Sequence, residues 1–240
     1  MAPPAINRTV MVEAKNLVKI YTGEGVATTA LDGMDMKVYQ GEFVAIVGPS
    51  GSGKSTLLNM LGALDIPTSG KLFIDGIDIT TMDGAKLAEL RNRKIGFIFQ
   101  SFNLISRMNA LQNVELPLAI RGVPSYERRR RAIRMLELVG LRQKMLHKPS
   151  EMSGGEQQRV AIARALVTDP PILLGDEPSG NLDTKNTQVI VDLIKKLNKE
   201  AGKTVIVITH NLEVADESDR IIFIRDGKVE REKVAAPPMA

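Results

Sequence analysis

The chain has 240 residues and a net charge of +4, and its 43% hydrophobic and 25% charged residues are the balance of an ordinary globular protein. It contains no cysteine, which excludes disulfide bonds and thiolate metal sites. The small basic excess does not indicate nucleic-acid binding, so no direct nucleic-acid contact is expected. No segment approaches the roughly 18 consecutive apolar residues that span a bilayer, and the N-terminus does not resemble a signal peptide. We therefore expect a cytoplasmic protein whose membrane role, if it has one, depends on a partner.

The first part of the chain is predicted to be rich in strands. The run at 43–47, FVAIV, is wholly apolar and is typical of a strand buried on both faces of a parallel sheet. A helix is predicted at 55–64, and Asp75-Gly76 predicts a turn. Apolar patterning predicts strands at 10–17, 34–38, 43–47, 71–74 and 95–99.

From about residue 101 to 149 the apolar pattern becomes typical of helices, which are separated by Pro117, Gly122-Val123-Pro124 and Gly140. This stretch is the predicted inserted helical subdomain. Alternation of helix and strand then resumes, with helices predicted at 157–167 and 187–199 and strands at 172–174, 204–209 and 221–224. Apolar strands that alternate with helices predict an α/β fold around a mainly parallel sheet. Ligands of such sheets bind at the carboxyl ends of the strands.

These elements predict a single domain over 10–234. Its α/β core is expected at about 10–100 and 157–234, with the helical subdomain at about 101–156. The segments 1–9 and 235–240 are rich in proline and small residues, and we expect them to be flexible tails.

A glycine-rich segment directly after the apolar strand at 43–47 fits the pattern G-x-x-x-x-G-K-[ST]. Its glycines let backbone N–H groups turn toward phosphate oxygens, and the following helix adds the positive end of its dipole. Lys54 is expected to reach the β- and γ-phosphates, and the Ser55 hydroxyl to bind Mg²⁺. The predicted nucleotide-binding residues here are Gly48, Pro49, Ser50, Gly51, Ser52, Gly53, Lys54, Ser55 and Thr56.

Two adjacent carboxylates, Asp176 and Glu177, end the predicted strand that begins at 172. By itself this Asp-Glu-Pro sequence is a polar turn. Beside a phosphate loop, Asp176 is expected to hold Mg²⁺ and Glu177 to orient or deprotonate the attacking water.

The segment SGGEQQRVA, beginning at Ser153, resembles the signature sequence of ATP-binding cassette (ABC) proteins. It is a second glycine-rich turn at a predicted helix N-terminus, and hence a second candidate anion site. The resemblance implies that the signature of one subunit closes on the nucleotide of another. Ser153, Gly154, Gly155 and Glu156 are therefore predicted nucleotide contacts in a head-to-tail homodimer. Met152 replaces the usual leucine, and Glu156 stands where glutamine is common.

The resemblance covers about residues 10–234 and implies further roles. Tyr21 resembles the aromatic residue that stacks on adenine, although a buried structural tyrosine is the alternative. Gln100 matches the glutamine that contacts Mg²⁺ and the attacking water. Asp183 resembles the acidic member of the loop that communicates across the dimer, and the resemblance makes it a predicted nucleotide contact. His210 resembles the switch histidine at the γ-phosphate. The family fold is a RecA-like P-loop NTPase core with an N-terminal antiparallel β subdomain and an inserted α-helical subdomain.

Together these positions imply an ATPase that uses ATP and Mg²⁺, with Glu177, His210, Gln100 and Lys54 as its catalytic residues. The segments at 113–118, 177–183 and 225–229 are similar to the LolD/MacB/FtsE group of cassettes. That similarity implies an export, lipoprotein-release or mechanotransmission system. It also implies an integral membrane permease subunit docked near Gln100–Leu118, which would place the chain on the inner face of the membrane.

Two other functions are left open by the sequence. One is a soluble cassette ATPase that acts on nucleic acid or ribosomes, although such proteins usually carry a coiled-coil insertion or tandem cassettes. The other is a regulatory ATP-binding module of a division complex. A basic helix over Arg128–Arg131 and Arg134 is most simply a solvated face, and contact with anionic lipid headgroups is its alternative interpretation.

Overall fold

The structure is a computed structural model that describes residues 9–23 and 26–235. Within these residues the strands are β1 (Val10–Gly23), β2 (Val26–Tyr39), β3 (Phe43–Val47), β4 (Ser69–Ile74), β5 (Ile77–Asp78), β6 (Ile95–Phe99), β7 (Ile172–Asp176), β8 (Thr204–Ile208), β9 (Arg220–Arg225) and β10 (Lys228–Val234). The α-helices are α1 (Lys54–Leu61), α2 (Gly84–Lys94), α3 (Ala110–Ile120), α4 (Ser125–Leu138), α5 (Gly154–Leu166), α6 (Thr184–Lys199) and α7 (Leu212–Asp216).

A six-stranded sheet in the order β10-β9-β3-β8-β7-β6 forms the centre of the fold. Strands β6, β7, β8, β3 and β9 are parallel neighbours, and β10 is antiparallel at one edge. Every residue of β3 is buried. Because successive side chains of a strand point to opposite faces, Val44 and Ile46 pack into one hydrophobic core and Phe43 into another. The carboxyl ends of the parallel strands meet along one edge, where the candidate site lies.

The second sheet is antiparallel, in the order β2-β1-β4-β5. Strands β1 and β2 each run for 14 residues, well beyond the predicted strands at 10–17 and 34–38. The prediction was wrong in extent because the β1–β2 register shifts repeatedly between Ala14 and Ile20, which interrupts the alternation of apolar and polar residues. Met34, Met36 and Val38 nevertheless point into the core that covers one face of the central sheet.

Along the chain, α3 and α4 follow β6 and precede α5. Two 3-10 turns, at Arg142–Lys144 and Pro149–Glu151, separate α4 from α5. The apolar faces of both α-helices pack on α5 through Leu111, Val114 and Leu118 of α3 and Ala132 and Leu136 of α4. The helices predicted between 101 and 149 are therefore present, whereas the assignment of about 101–156 to an inserted subdomain stays a prediction.

Several predicted boundaries differ from the structure. Helix α5 begins at Gly154 rather than at 157, so the glycines of the signature segment form its first turn. Helices α2 and α7 and strands β5 and β10 were not predicted. The predicted tails lie outside the described residues except for Thr9 and Ala235. Among the described residues, no helix is long and apolar enough to cross a membrane.

Candidate functional site

The glycine-rich loop lies between the end of β3 and the start of α1. Gly53 caps α1 with a φ of 96°, a backbone conformation that favours glycine. A Cβ atom at Gly53 would lie 2.4 Å from the carbonyl oxygen of Ala30, and one at Gly48 would lie 2.3 Å from that of Ile224. Close backbone approach therefore requires glycine at both Gly48 and Gly53, and the left-handed conformation is a further reason at Gly53.

Lys54 folds back over this loop, and its Nζ donates hydrogen bonds to the carbonyl oxygens of Gly48 at 2.7 Å and Pro49 at 2.6 Å. The ammonium group is thus held above the loop backbone at the N-terminal end of α1. Ser52 lies beneath the loop, 2% exposed, and its backbone carbonyl accepts a hydrogen bond from Gly227. Ser52 therefore supports the loop through its backbone, and its role as a nucleotide contact stays a prediction.

The loop forms one wall of a cleft of about 730 Å³, which we call the phosphate cleft. This volume lies in the range of small-molecule and cofactor sites. Its lining residues are Thr28, Thr29, Ala30, Gly48, Pro49, Ser50, Gly51, Gly53, Lys54, Ser55, Thr56, Glu177 and His210. The structure therefore brings together, in one cleft, all but one of the predicted loop residues and three of the four predicted catalytic residues, Lys54, Glu177 and His210.

Glu177 reaches the phosphate cleft from the end of β7. Its φ of 47° is left-handed, and its backbone N–H donates to the Ile208 carbonyl at 2.9 Å. Residues held in this region cost of order 1–3 kcal/mol and cluster at functional sites. The carboxylate of Glu177 lies 2.6 Å from Nδ1 of His210, whose side chain is 70% exposed at the end of β8. A carboxylate and an imidazole can in this way exchange or orient a proton beside the phosphate loop.

Asp176 precedes Glu177 and is half-buried. Its burial raises the pKa of its carboxyl group, and the negative charge of Glu177 raises that pKa further. Two neighbouring carboxylates disfavour each other's ionisation unless a cation balances them. Asp176 and the Ser55 hydroxyl supply oxygen ligands of the kind that Mg²⁺ prefers. The donor chemistry at this edge therefore fits the predicted magnesium ion.

Gln100 follows β6 but does not line the phosphate cleft. Its Nε2 donates to Oδ1 of Asn181 at 3.2 Å, and Nδ2 of Asn181 donates to the Gln100 carbonyl at 3.1 Å. A Cβ atom at Gly180 would lie 2.7 Å from the Gln100 side chain. The amide of Gln100 is accordingly held against the loop between β7 and α6.

Tyr21 also lies outside the cleft lining. It is 41% exposed, so the buried structural tyrosine considered as the alternative is wrong. Its hydroxyl donates to Asp65 at 3.3 Å, and the ammonium of Lys19 lies 5.0 Å from its ring centroid. Across the β1–β2 pair, Tyr21 is opposite Thr28, which does line the cleft. The ring is therefore at the rim of the cleft.

The signature turn, Ser153–Glu156, opens α5 with reciprocal hydrogen bonds. Ser153 Oγ accepts from the Glu156 N–H at 3.3 Å, and the Glu156 carboxylate accepts from the Ser153 N–H at 3.0 Å. The ammonium of Lys144, 2.5 Å from that carboxylate, lowers the pKa of Glu156, and the Ser153 N–H lowers it further. None of the four residues of the signature turn lines the phosphate cleft of its own chain.

Asp183 supports the signature turn indirectly. Its carboxylate caps α6 by accepting from the N–H of Asn186 at 2.8 Å and also from the Asn186 side-chain amide. The backbone hydrogen bond to Asn186 lowers the pKa of Asp183. The Asn186 side chain in turn packs against Gly155, where a Cβ atom would lie only 2.3 Å from Asn186 Oδ1. Asp183 is therefore placed as a helix cap in this chain, and its role as a nucleotide contact stays a prediction.

Sequence reasoning missed some of the residues around this site. Thr28, Thr29 and Ala30 line the phosphate cleft. Outside it, Asn181 bonds to Gln100, and Asn186 bonds to Asp183. Thr28–Ala30 reach the cleft because β2 pairs with β1 in a register that shifts several times. The sequence does not reveal those shifts. The two asparagines could have been proposed from the sequence, because Asn181 and Asn186 lie two and three residues from the predicted site residue Asp183.

A phosphate loop between a buried strand and a helix, facing a carboxylate and a histidine at the ends of neighbouring parallel strands, defines a P-loop NTPase. A family model described as ABC transporter matches residues 31–180, and the chain belongs to this family.

Relatives over nearly the whole chain refine this assignment. The lipoprotein-releasing system ATP-binding protein LolD of Syntrophus aciditrophicus is 47% identical over 91% of this chain and 98% of its own length. The macrolide export ATP-binding/permease protein MacB of Haemophilus ducreyi is 47% identical over 91% of this chain but only 31% of its own length. The cassette MJ0796 of Methanocaldococcus jannaschii has solved dimeric structures, one of them a post-hydrolysis state with ADP and Pi. They superimpose with a TM-score of 0.88 at 48% identity, over 95% of this chain and 100% of that chain.

The predicted family, its LolD/MacB-like subfamily and the P-loop fold are thereby confirmed. The chain is an ATP-hydrolysing subunit of an ABC transporter. The roles assigned to individual site residues stay predictions.

Proposed function

We propose that two copies of this chain close head-to-tail around two Mg-ATP, and that closure drives a separate membrane permease. Each composite site would combine the phosphate cleft of one chain with the signature turn of the other. The observation that carries this proposal is that the signature turn has the hydrogen-bonded helix N-terminus of an anion site, yet lies outside the cleft of its own chain. The dimeric structures of MJ0796 support a dimer for this chain.

In this arrangement Lys54 and the loop N–H groups bind the phosphates, and Tyr21 at the rim stacks on adenine. Glu177 orients the attacking water and holds its proton, while His210 keeps the carboxylate in place and contacts the γ-phosphate. Positioning and charge stabilisation supply most of the acceleration in phosphoryl transfer. Mg²⁺, held by Ser55, Asp176 and Gln100, would neutralise charge that develops on the phosphate oxygens.

An apolar groove offers the permease a docking surface close to the predicted segment Gln100–Leu118. It has a volume of about 340 Å³ and runs between α2, β6, α3 and α5, and we call it the α3 groove. Leu116, Pro117 and Ile120 form its α3 side, and Ile120 is 72% exposed. An exposed large apolar side chain at the edge of a concave apolar surface is a feature of protein interfaces. Occupation of this groove would hold the chain on the cytoplasmic face of the membrane and couple it to movement of residues 101–156.

The test of this function is the Glu177→Gln variant, which keeps the shape of the side chain but removes its basicity. Phosphate release from Mg-ATP should fall by roughly 10²-fold or more, because general-base assistance is lost. ATP should still bind, and the variant should run as an ATP-dependent dimer on a sizing column. The matched control is Glu213→Gln on the exposed start of α7, which should hydrolyse ATP like the wild type. Normal hydrolysis by Glu177→Gln, or a monomer in ATP, would contradict the proposal.

A further inference from the structure

The segment after Gln100 has a backbone that needs outside support. Phe102 and Asn103 have φ values of 60° and 48°, and both are left-handed. Each such residue costs roughly 1–2 kcal/mol relative to the right-handed region, although asparagine tolerates it better than most. We call residues 100–105 the Gln100 loop. Gln100 is the first residue of this loop, and its side-chain amide also bonds to Asn181, so support of Phe102 and Asn103 acts on the backbone that leaves Gln100.

Arg164 of α5 supplies that support. Its guanidinium donates one hydrogen bond to the Phe102 carbonyl at 2.8 Å and another to the Asn103 carbonyl. Arg164 forms no ion pair with a carboxylate among the residues that the structure describes, and burial lowers its pKa. Arg164 is partly buried, and a cation withdrawn from water is costly unless it is paired or hydrogen-bonded. Here its hydrogen bonds go to the two carbonyls of the left-handed residues.

The same helix approaches the Gln100 loop at a second point. A Cβ atom at Gly154, the first residue of α5, would lie 3.7 Å from the ring of Phe102. The signature turn and Arg164 are therefore two contacts of one rigid helix with one loop. Arg164 and Asn103 also line the α3 groove, so a molecule that occupies the groove can contact both residues.

We propose that Arg164 is a positioning residue for ATP hydrolysis, which fixes Gln100 by clamping its loop to the signature helix. This inference rests on the proposed function, in which Gln100 contacts the metal and the attacking water. Arg164 itself touches neither nucleotide nor water. Its loss should therefore lower the catalytic rate without weakening the binding of ATP in the phosphate cleft.

Arg121 offers a matched control at the same groove. It is also a partly buried arginine whose pKa burial lowers, and its guanidinium donates to the side chain and carbonyl of Asn92 and to the carbonyl of Thr168. Asn92 and Thr168 line the α3 groove, and neither belongs to the Gln100 loop. Arg121→Met and Arg164→Met thus remove the same kind of bonds from the same region.

Three readouts would test the clamp. In Arg164→Met, kcat for Mg-ATP should fall about tenfold or more, the loss expected from charge-assisted hydrogen bonds, while KM stays within about twofold. Amide hydrogen exchange over residues 100–105 should become faster. Arg164→Lys, which keeps the charge but donates to the loop through a single atom, should lie between Arg164→Met and the wild type in both respects. Arg121→Met should leave kcat and exchange over 100–105 close to the wild type.

The inference would be overturned by unchanged exchange over 100–105 in Arg164→Met, or by equal losses of kcat in the two methionine variants. If Arg164→Met does not fold, Arg164→Lys decides between these outcomes. The exchange measurement needs no turnover and tests the clamp by itself. An inactive wild-type chain would count against the proposed function, whereas an active chain with no difference between the arginine variants would count against the clamp alone.

Discussion

Glu156 combines two interactions at the start of α5. Its carboxylate accepts the Ser153 N–H within the signature turn, and the same group pairs with the ammonium of Lys144. The Glu156 side chain is only 16% exposed, whereas that of Lys144 is 43% exposed. The lysine therefore stabilises the ionised form of a carboxylate that already caps the helix, although solvent screens part of the attraction.

The pH dependence of this pair follows from the direction of the shift. Because the pKa of Glu156 is lowered in the folded state, chiefly by Lys144, its contribution is present above the unfolded pKa and is lost as pH falls through the folded one. Lys144→Met should raise the pKa of Glu156 and reduce the free energy of unfolding at pH 7 by less than about 1 kcal/mol. The difference from the wild type should shrink below about pH 4, near the ordinary pKa of glutamate.

Urea unfolding at pH 7 and at acid pH measures this prediction. Lys148→Met is the control, since the Lys148 side chain is exposed and makes no ion pair among the described residues. A Lys144→Met deficit of the same size at both pH values would show that the ion pair does not contribute.

At the scale of elements, α5 and α6 meet where Asn186 packs against Gly155. Asp183 fixes the Asn186 side chain, so it cannot simply rotate away from a new methyl group. Gly154, the neighbouring glycine, has ordinary space around it, because a Cβ atom there would lie 3.5 Å from its nearest neighbour, a methyl carbon of Leu182. The two glycines of one turn therefore face different constraints.

Gly155→Ala should consequently lower the free energy of unfolding by about 1–3 kcal/mol, the usual cost of overpacking. Gly154→Ala should be neutral or slightly stabilising, because alanine favours helix by up to about 1 kcal/mol over glycine. The double variant Gly155→Ala/Asn186→Ala should recover part of the loss by reopening the space. Equal unfolding free energies for the two alanine variants, measured in urea, would show that the Asn186 contact is not limiting.

The elements differ in how far the sequence predicts them. Strands β3 and β6 have the predicted bounds, because each is a short apolar run whose burial on the central sheet fixes its length. Strand β10, KVEREKV, is almost wholly exposed and carries no apolar pattern. It forms because β9 offers it an unpaired edge, which is a property of the assembled sheet.

The site residues also divide into those that local sequence predicts and those that depend on tertiary packing. The phosphate loop and the Glu177 position are local to strand ends, so motif and pattern together place them. Thr28–Ala30 reach the cleft through a strand pair with shifted register, and Arg164 reaches the Gln100 loop from 61 and 62 residues away. Contacts of this kind depend on tertiary packing, which a single sequence does not reveal.

At the scale of the whole molecule, a head-to-tail dimer predicts that two inactive variants can restore activity when they are mixed. Sites built within one chain would not show this recovery. Glu177→Gln damages the site built on its own phosphate cleft. Ser153→Arg instead damages the site built on the cleft of the partner. A mixed dimer of the two variants would hold both lesions in one composite site and leave the other site complete.

Each variant alone should therefore be nearly inactive, and mixing them in equal amounts should restore Mg-ATP turnover. Random association makes half of the dimers mixed, each with one complete site of two, so activity should approach about one quarter of the wild type per chain. The control is a mixture of Glu177→Gln with His210→Ala. Both of these lesions lie in the cleft, so each mixed dimer retains no complete site and activity should not return. Absence of recovery in the first mixture, with both variants folded and able to bind ATP, would contradict shared sites, because only exchange of signature turns between chains can rebuild an intact one.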